Sequence, residues 1–184
     1  CTAILKDKFY VARYLLKHGA NPTKGGGIHG SALHIATKKL SYTLVSDILM
    51  LGENPNRIDA DGNTPLHHAI VLMAEGHHKG AIVTQVLLEQ GANPNPKNKE
   101  NWTPMHLAVR RRCPKTLSWI INYNSELEEV RGREEIFKMN KRGGAYKWTA
   151  MHIAAYAGVP ELVQILGDAG VDMFKRSVNG YTPK

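Results

Sequence analysis

Three kinds of side chain in this sequence have types and spacings suited to chemistry. Among nine histidines, His67 and His68 adjoin at the head of an apolar run, "TPLHHAI", and His77 and His78 adjoin in "MAEGHHKGA". Imidazole is the usual general base near neutral pH and a common transition-metal ligand. Cys113 follows Arg110, Arg111 and Arg112, and cations beside a thiol favour the nucleophilic thiolate. "GGGIHG", 25–30, fits a phosphate-binding glycine pattern through Gly25, Gly27 and Gly30.

Each chemistry needs a context that the sequence does not supply. A zinc site needs converging ligands; Glu75, His77 and His78, with His68 nearby, include no cysteine, and adjacent histidines point different ways. Thiolate catalysis needs a paired base, and the sequence places no histidine beside Cys113. A dinucleotide loop follows a strand and opens a helix, whereas this one follows a helical pattern. The expectation is therefore no catalytic residue, no cofactor and no metal.

What positions the histidines is a repeat. "SALHIA" from Ser31, "TPLHHA" from Thr64, "TPMHLA" from Thr103 and "TAMHIA" from Thr149 align on His34, His67, His106 and His152. A second apolar helical pattern and a turn follow each motif. The turn glycine comes 18 residues after His34 (Gly52) and after His152 (Gly170), and 24 after His67 (Gly91). Asn124 fills that slot after His106. The hydroxyl caps a helix by accepting a backbone N–H, and proline suits the first helical position. Glycine closes the second helix in a left-handed conformation, with asparagine the next-best residue. Pro114 and Pro160 are predicted to open second helices.

These motifs resemble the ankyrin repeat, with its period near 33 residues and its T-P-L-H-x-A signature. The resemblance covers nearly the whole chain. It implies an all-α ankyrin-repeat solenoid of stacked helix-turn-helix units with β-hairpin or turn fingers. A single domain over 1–184 is expected. It comprises a partial repeat at 1–25, repeats at 26–58, 59–97, 98–143 and 144–176, and the start of another at 177–184. In the family the motif histidine bonds within and between neighbouring repeats, so His34, His67, His106 and His152 are expected to be architectural. His68 falls where Leu107 and Ile153 sit in other repeats and is expected to be packed.

Two insertions interrupt the pattern. One, around 73–81, falls between the two helices of its repeat. The other falls within 125–143, where "SELEEVRGREEIFKMNKRGG" is rich in both charges. Ser125 with Glu128 suggests a capping box that starts a short helix. Long loops are often functional, so a docking role is one reading and a tolerated surface loop the other.

The family's binding surface is a concave face of finger tips and first helices. Carried over to this sequence, it names Lys38, Lys39, Val71, Leu72, Arg110, Arg111 and Tyr156 on helices, and Lys99, Trp102, Tyr146 and Trp148 on fingers. That surface would hold an extended, acidic protein or peptide segment, with arginine pairing carboxylates and aromatic rings as anchors. The bland alternative is solvated cations and packing tryptophans.

Bulk properties agree with such a module. A hydrophobic content of 42% is enough for a core, and a net charge of +8 favours acidic partners. No apolar run is long enough to span a membrane, and no signal peptide is evident. Two cysteines make no disulfide framework, which favours a reducing intracellular compartment, cytoplasmic or nuclear. Cys1 at the first position suggests a piece of a longer protein. The expected function is a monomeric protein-interaction or scaffolding module without a small-molecule substrate. Alternatives are binding of an anionic surface, phosphoinositide or RNA, or a regulatory domain in a parent enzyme or channel. The RNA reading lacks any groove-entering motif, and membrane contact is expected only through anionic lipid or a parent domain.

Overall fold

Helix starts follow from the hydroxyls. Ser31, Thr64, Thr103 and Thr149 are all extended and each precedes the first helix of a repeat. These first helices are α3 (Ala32–Lys38), α5 (Pro65–Ala74), α7 (Pro104–Arg110) and α9 (Ala150–Ala157). Each pairs with a second helix: α4 (Tyr42–Met50), α6 (Lys79–Glu89), α8 (Pro114–Arg131) and α10 (Pro160–Asp168). The short α1 (Thr2–Leu5) and α2 (Phe9–Lys17) make a fifth pair at the start of the chain. The computed structural model describes residues 1–23, 30–131 and 137–183, with the backbone alone for 127–131. The glycine-rich stretch 25–29, and much of the second insertion, lie outside the described residues.

The chain divides into two compact units, 1–93 and 94–184. In the first, α3 packs between α1 and α5, and α4 between α2 and α6, so first helices form one layer and second helices another. Leu33, Ile35, Leu44, Ile48, Leu66, Ile70 and Leu87 are fully buried there. In the second unit α7 packs on α9 and α8 on α10, around Leu117, Ile120, Phe137, Met151 and Leu162. Among the described residues the secondary structure is all-α apart from one isolated bridge. Gly143 and Trp148 exchange both backbone hydrogen bonds, at 2.7 and 2.8 Å. Two other described fingers are turns: Asp59 N–H donates to Asn63 C=O at 2.9 Å and Asn98 N–H to Trp102 C=O at 3.0 Å, and each Asp59 or Asn98 side chain accepts the N–H of the same partner at 2.9 Å.

The predicted glycine closures hold in α4, α6 and α10, and Gly19 closes α2 in the same way. Gly19, Gly52, Gly91 and Gly170 have φ of 87°, 83°, 84° and 72°. The residue after each returns its N–H five residues back, as Ala92 does to Leu87 at 2.9 Å. Pro114 and Pro160 open α8 and α10 as expected.

The expected turn at Asn124 and helix start at Ser125 are corrected. The helix runs through both, and α8 has 18 residues where α4 and α10 have 9. Ser125 Oγ donates back to Ile121 C=O at 3.2 Å, so it is an interior helical residue and no cap. Asn124 stays inside the helix because its carboxamide supplies the closing bonds. Its Oδ1 accepts the Phe137 N–H at 2.9 Å, and its Nδ2 donates to the Phe137 C=O at 3.2 Å. The first insertion lies between its two helices, as expected, but as added helix: α5 and α6 have 10 and 11 residues.

Candidate functional site

Each motif histidine is held at both ring nitrogens where its partners are described. The backbone N–H of Ser31 donates to His34 Nδ1 at 3.1 Å, with the serine hydroxyl at 3.0 Å. Thr64, Thr103 and Thr149 place N–H and hydroxyl against His67, His106 and His152 in the same way. Histidine thus takes the third-position role that Glu or Gln fills in a capping box. Nε2 donates to a carbonyl of the next finger: His34 to Asn63 at 3.0 Å, His106 to Trp148 at 3.2 Å, and His152 to Tyr181 at 3.0 Å. Burial lowers the pKa of His34, and lowers that of His106 to about 4. Neutral rings with both nitrogens engaged have no lone pair free to accept a substrate proton.

His68 does more than pack. Its Nε2 lies 2.7 Å from Asp59 Oδ2, with Lys38 Nζ 3.8 Å from the same oxygen. Burial lowers the His68 pKa to about 4 despite that carboxylate, and the His68 hydrogen bond helps hold Asp59 below its ordinary value. His77 and His78 are exposed. Among the described residues no three His, Cys, Asp or Glu side chains gather closely enough to hold a metal ion. Cys113 is half-buried, with the Thr116 hydroxyl 3.3 Å from its Sγ.

In the first unit the named cations face carboxylates: Lys38 faces Asp59, and Lys39 lies 2.9 Å from Asp7. Val71 and Leu72 are half-buried on α5. In the second unit the structure gathers five of the named residues. Trp102, Arg110, Tyr146, Trp148 and Tyr156 line a recess of about 310 Å³, with Arg112 at its wall. Trp148 stacks on Tyr146 with ring centroids 5.4 Å apart and lies 5.1 Å from Tyr156. Tyr146 and Tyr156 remain 57% and 80% exposed. The Arg110 guanidinium sits 4.8 Å over the Trp102 ring and 3.5 Å from Glu100. Trp102 rests against Gly144, where a Cβ would come within 2.1 Å of the indole. Lys99 and Arg111 are exposed and do not line this recess.

Two family models match the chain. "Ankyrin repeats (3 copies)" covers residues 33–131, and "Ankyrin repeat" covers 146–177. The chain belongs to the ankyrin-repeat family. Its curated relatives are diverse. The E3 ubiquitin-protein ligase KEG of Arabidopsis thaliana is 27% identical over 100% of this chain and 12% of its own length. Transient receptor potential cation channel subfamily A member 1 of Homo sapiens is 25% identical over 93% of the chain and 14% of itself. Inversin of Canis lupus familiaris is 30% identical over 69% of the chain and 11% of itself. The chain therefore matches only a small part of each.

Reasoning from sequence missed two features of this ankyrin-repeat chain. Arg112 follows His106 by six residues, as Gly158 follows His152, and that spacing marks it as the turn residue between helices. An asparagine ladder also joins fingers. Asn56 Oδ1 accepts the Asn93 N–H, Asn95 that of Lys138, and Asn140 that of Asp172, at 2.6, 2.8 and 3.0 Å. The repeated "NPN" at 54–56 and 93–95 was its visible signal.

Proposed function

We propose that this chain is the protein-interaction module of a longer protein, and that its partner inserts an apolar side chain into the recess of the second unit. Ankyrin repeats are in general protein-interaction modules, which is the coarse part of this reading. The observation that carries the finer part is a cluster of accessible aromatic rings around a preformed recess. Tyr146 stacks on Trp148, Tyr156 packs against it at a tilt, and the two tyrosines remain open to a visitor. Large, rigid rings make strong contact anchors because little side-chain freedom is lost on binding. The reading leaves the chain itself non-catalytic, since its motif imidazoles serve as neutral struts. A ligase and a channel among the relatives accord with a parent that carries its activity elsewhere.

The test is a random-peptide display selection on the full chain, repeated on a chain carrying Trp148→Ala and Tyr156→Ala. Sequences enriched on the first and lost on the second, at unchanged melting temperature, are expected. Equal binding to both removes the recess from the reading.

A second reading has one specific observation behind it. Lys97, Lys138 and Lys141 stand close enough that the pKa of Lys141 is lowered, first by its partial burial and then by the other two cations. Such a cluster suits an anionic surface. Its signature would be affinity that falls steeply and linearly in log salt; a recess-bound peptide would retain a salt-resistant apolar component.

A further inference from the structure

Between the two helices of every repeat the chain makes one left-handed step. Asp7, Leu40, Gly76, Arg112 and Gly158 occupy this slot, with φ of 57°, 53°, 90°, 52° and 65°. Glycine adopts that conformation without penalty, and aspartate tolerates it better than most residues; a long side chain is strained there. Leu40 is half-buried, so packing offsets its strain. Arg112 is exposed and gains no such packing. Strain of this kind is a pointer to function when the residue faces a site, and Arg112 lines the aromatic recess.

The charges around the recess sharpen the point. Arg110 is already engaged by Glu100 and by the face of Trp102. The Arg112 guanidinium has no hydrogen-bond or ion-pair partner among the described residues. Among the described residues no acidic side chain lines the recess. The second unit carries 15 Lys and Arg against 9 Asp and Glu, a net +6. One free planar fork beside an apolar pocket matches a single carboxylate next to a large apolar side chain. A nucleic acid would call for several phosphate contacts along a track.

Building on the recess reading, we infer that Arg112 is the charge-reading residue of this surface. The segment it takes is an extended stretch of a partner protein, with Asp or Glu within three residues of a Trp, Phe, Tyr, Leu or Met. Arg112 holds the carboxylate at the rim while the aromatic walls take the apolar chain.

The experiment uses the full chain and a library of random peptides on phage. Enriched sequences are expected to show that acidic–apolar pairing. A synthetic peptide from the enriched set is expected to bind Arg112→Gly at least about tenfold more weakly, a loss of about 1.4 kcal/mol. Arg112→Lys, which keeps charge but loses the fork, is expected to fall between. The melting temperature of Arg112→Gly is expected not to fall, because glycine is at ease in that backbone conformation. A purely structural residue would show the reverse pattern. Enrichment without acidic bias, or no enrichment at all, overturns the inference. So does equal affinity for Arg112→Gly; if Trp148→Ala still abolishes binding, the recess reading survives and only the charge assignment fails. Loss of effect in both variants sinks the recess reading as well. A phosphoserine version of the peptide, or a uridine oligonucleotide, that binds more tightly through Arg112 overturns the carboxylate assignment.

Discussion

An imidazole that accepts a hydrogen bond at Nδ1 and donates one at Nε2 must be uncharged. His34 and His106 are held in this way. For His106 and His68 the folded pKa is lowered to about 4, against an ordinary value of 6.5. Between those two values the unfolded chain binds more protons, so stability rises with pH across that window. The contribution is complete above pH 6.5 and is lost as pH falls towards 4. Asp59, also held low, adds to acid sensitivity below that range. Melting temperatures measured from pH 7 down to pH 4 should therefore fall continuously, and a flat profile would refute the neutral-strut account. The struts themselves were legible in sequence, since four histidines recur in register with a hydroxyl three residues before each. The Asp59 bond of His68 was not, because nine residues of finger separate the two and only the fold closes that distance.

At the scale of elements, local rules give helix starts and most helix ends. They fail at Asn124, whose residue type suited a turn equally well. Its carboxamide bonds a residue 13 positions away, and no local preference encodes that. Replacing Asn124 with alanine strands the buried N–H and C=O of Phe137. We expect a loss of about 2 kcal/mol in urea unfolding, while helix content by circular dichroism stays near wild type. The glycines of the fourth finger act on the recess. Gly144 has φ 67° and lies against the Trp102 ring, so Gly144→Ala must displace the indole. The expected result is a shifted tryptophan emission and weakened peptide binding; an unperturbed emission spectrum would show that the ring does not rest there. The aromatic members of the recess were readable from finger and helix positions in the motif. Arg112 was not legible in the same way, because it lies beyond the helix face, in the turn that follows α7.

For the molecule as a whole, charge is distributed unevenly. Residues 1–93 carry 9 Lys and Arg against 7 Asp and Glu, while 94–184 hold the larger excess. Self-repulsion should therefore weigh on the second unit and relax as salt screens it, over a Debye length of about 10 Å at 0.1 M. Raising sodium chloride from about 0.05 to about 0.5 M should increase amide-exchange protection more within 94–184 than within 1–93. Equal gains in both would locate the effect outside the charge excess. Sequence gave the total charge, and the division into units shows where it concentrates. Among the described residues no helix is long and apolar enough to cross a membrane.

The Asn124–Phe137 clasp has one more consequence. A single carboxamide ties Phe137 back to the interior of α8, so the chain re-enters the repeat at a point fixed by two hydrogen bonds. Doubling the length of a loop costs only about 0.6 kcal/mol in closure entropy. A tag or a small reporter spliced into the sequence between Arg131 and Phe137 is therefore expected to leave the fasteners on either side shut, with the melting temperature of the chain unchanged.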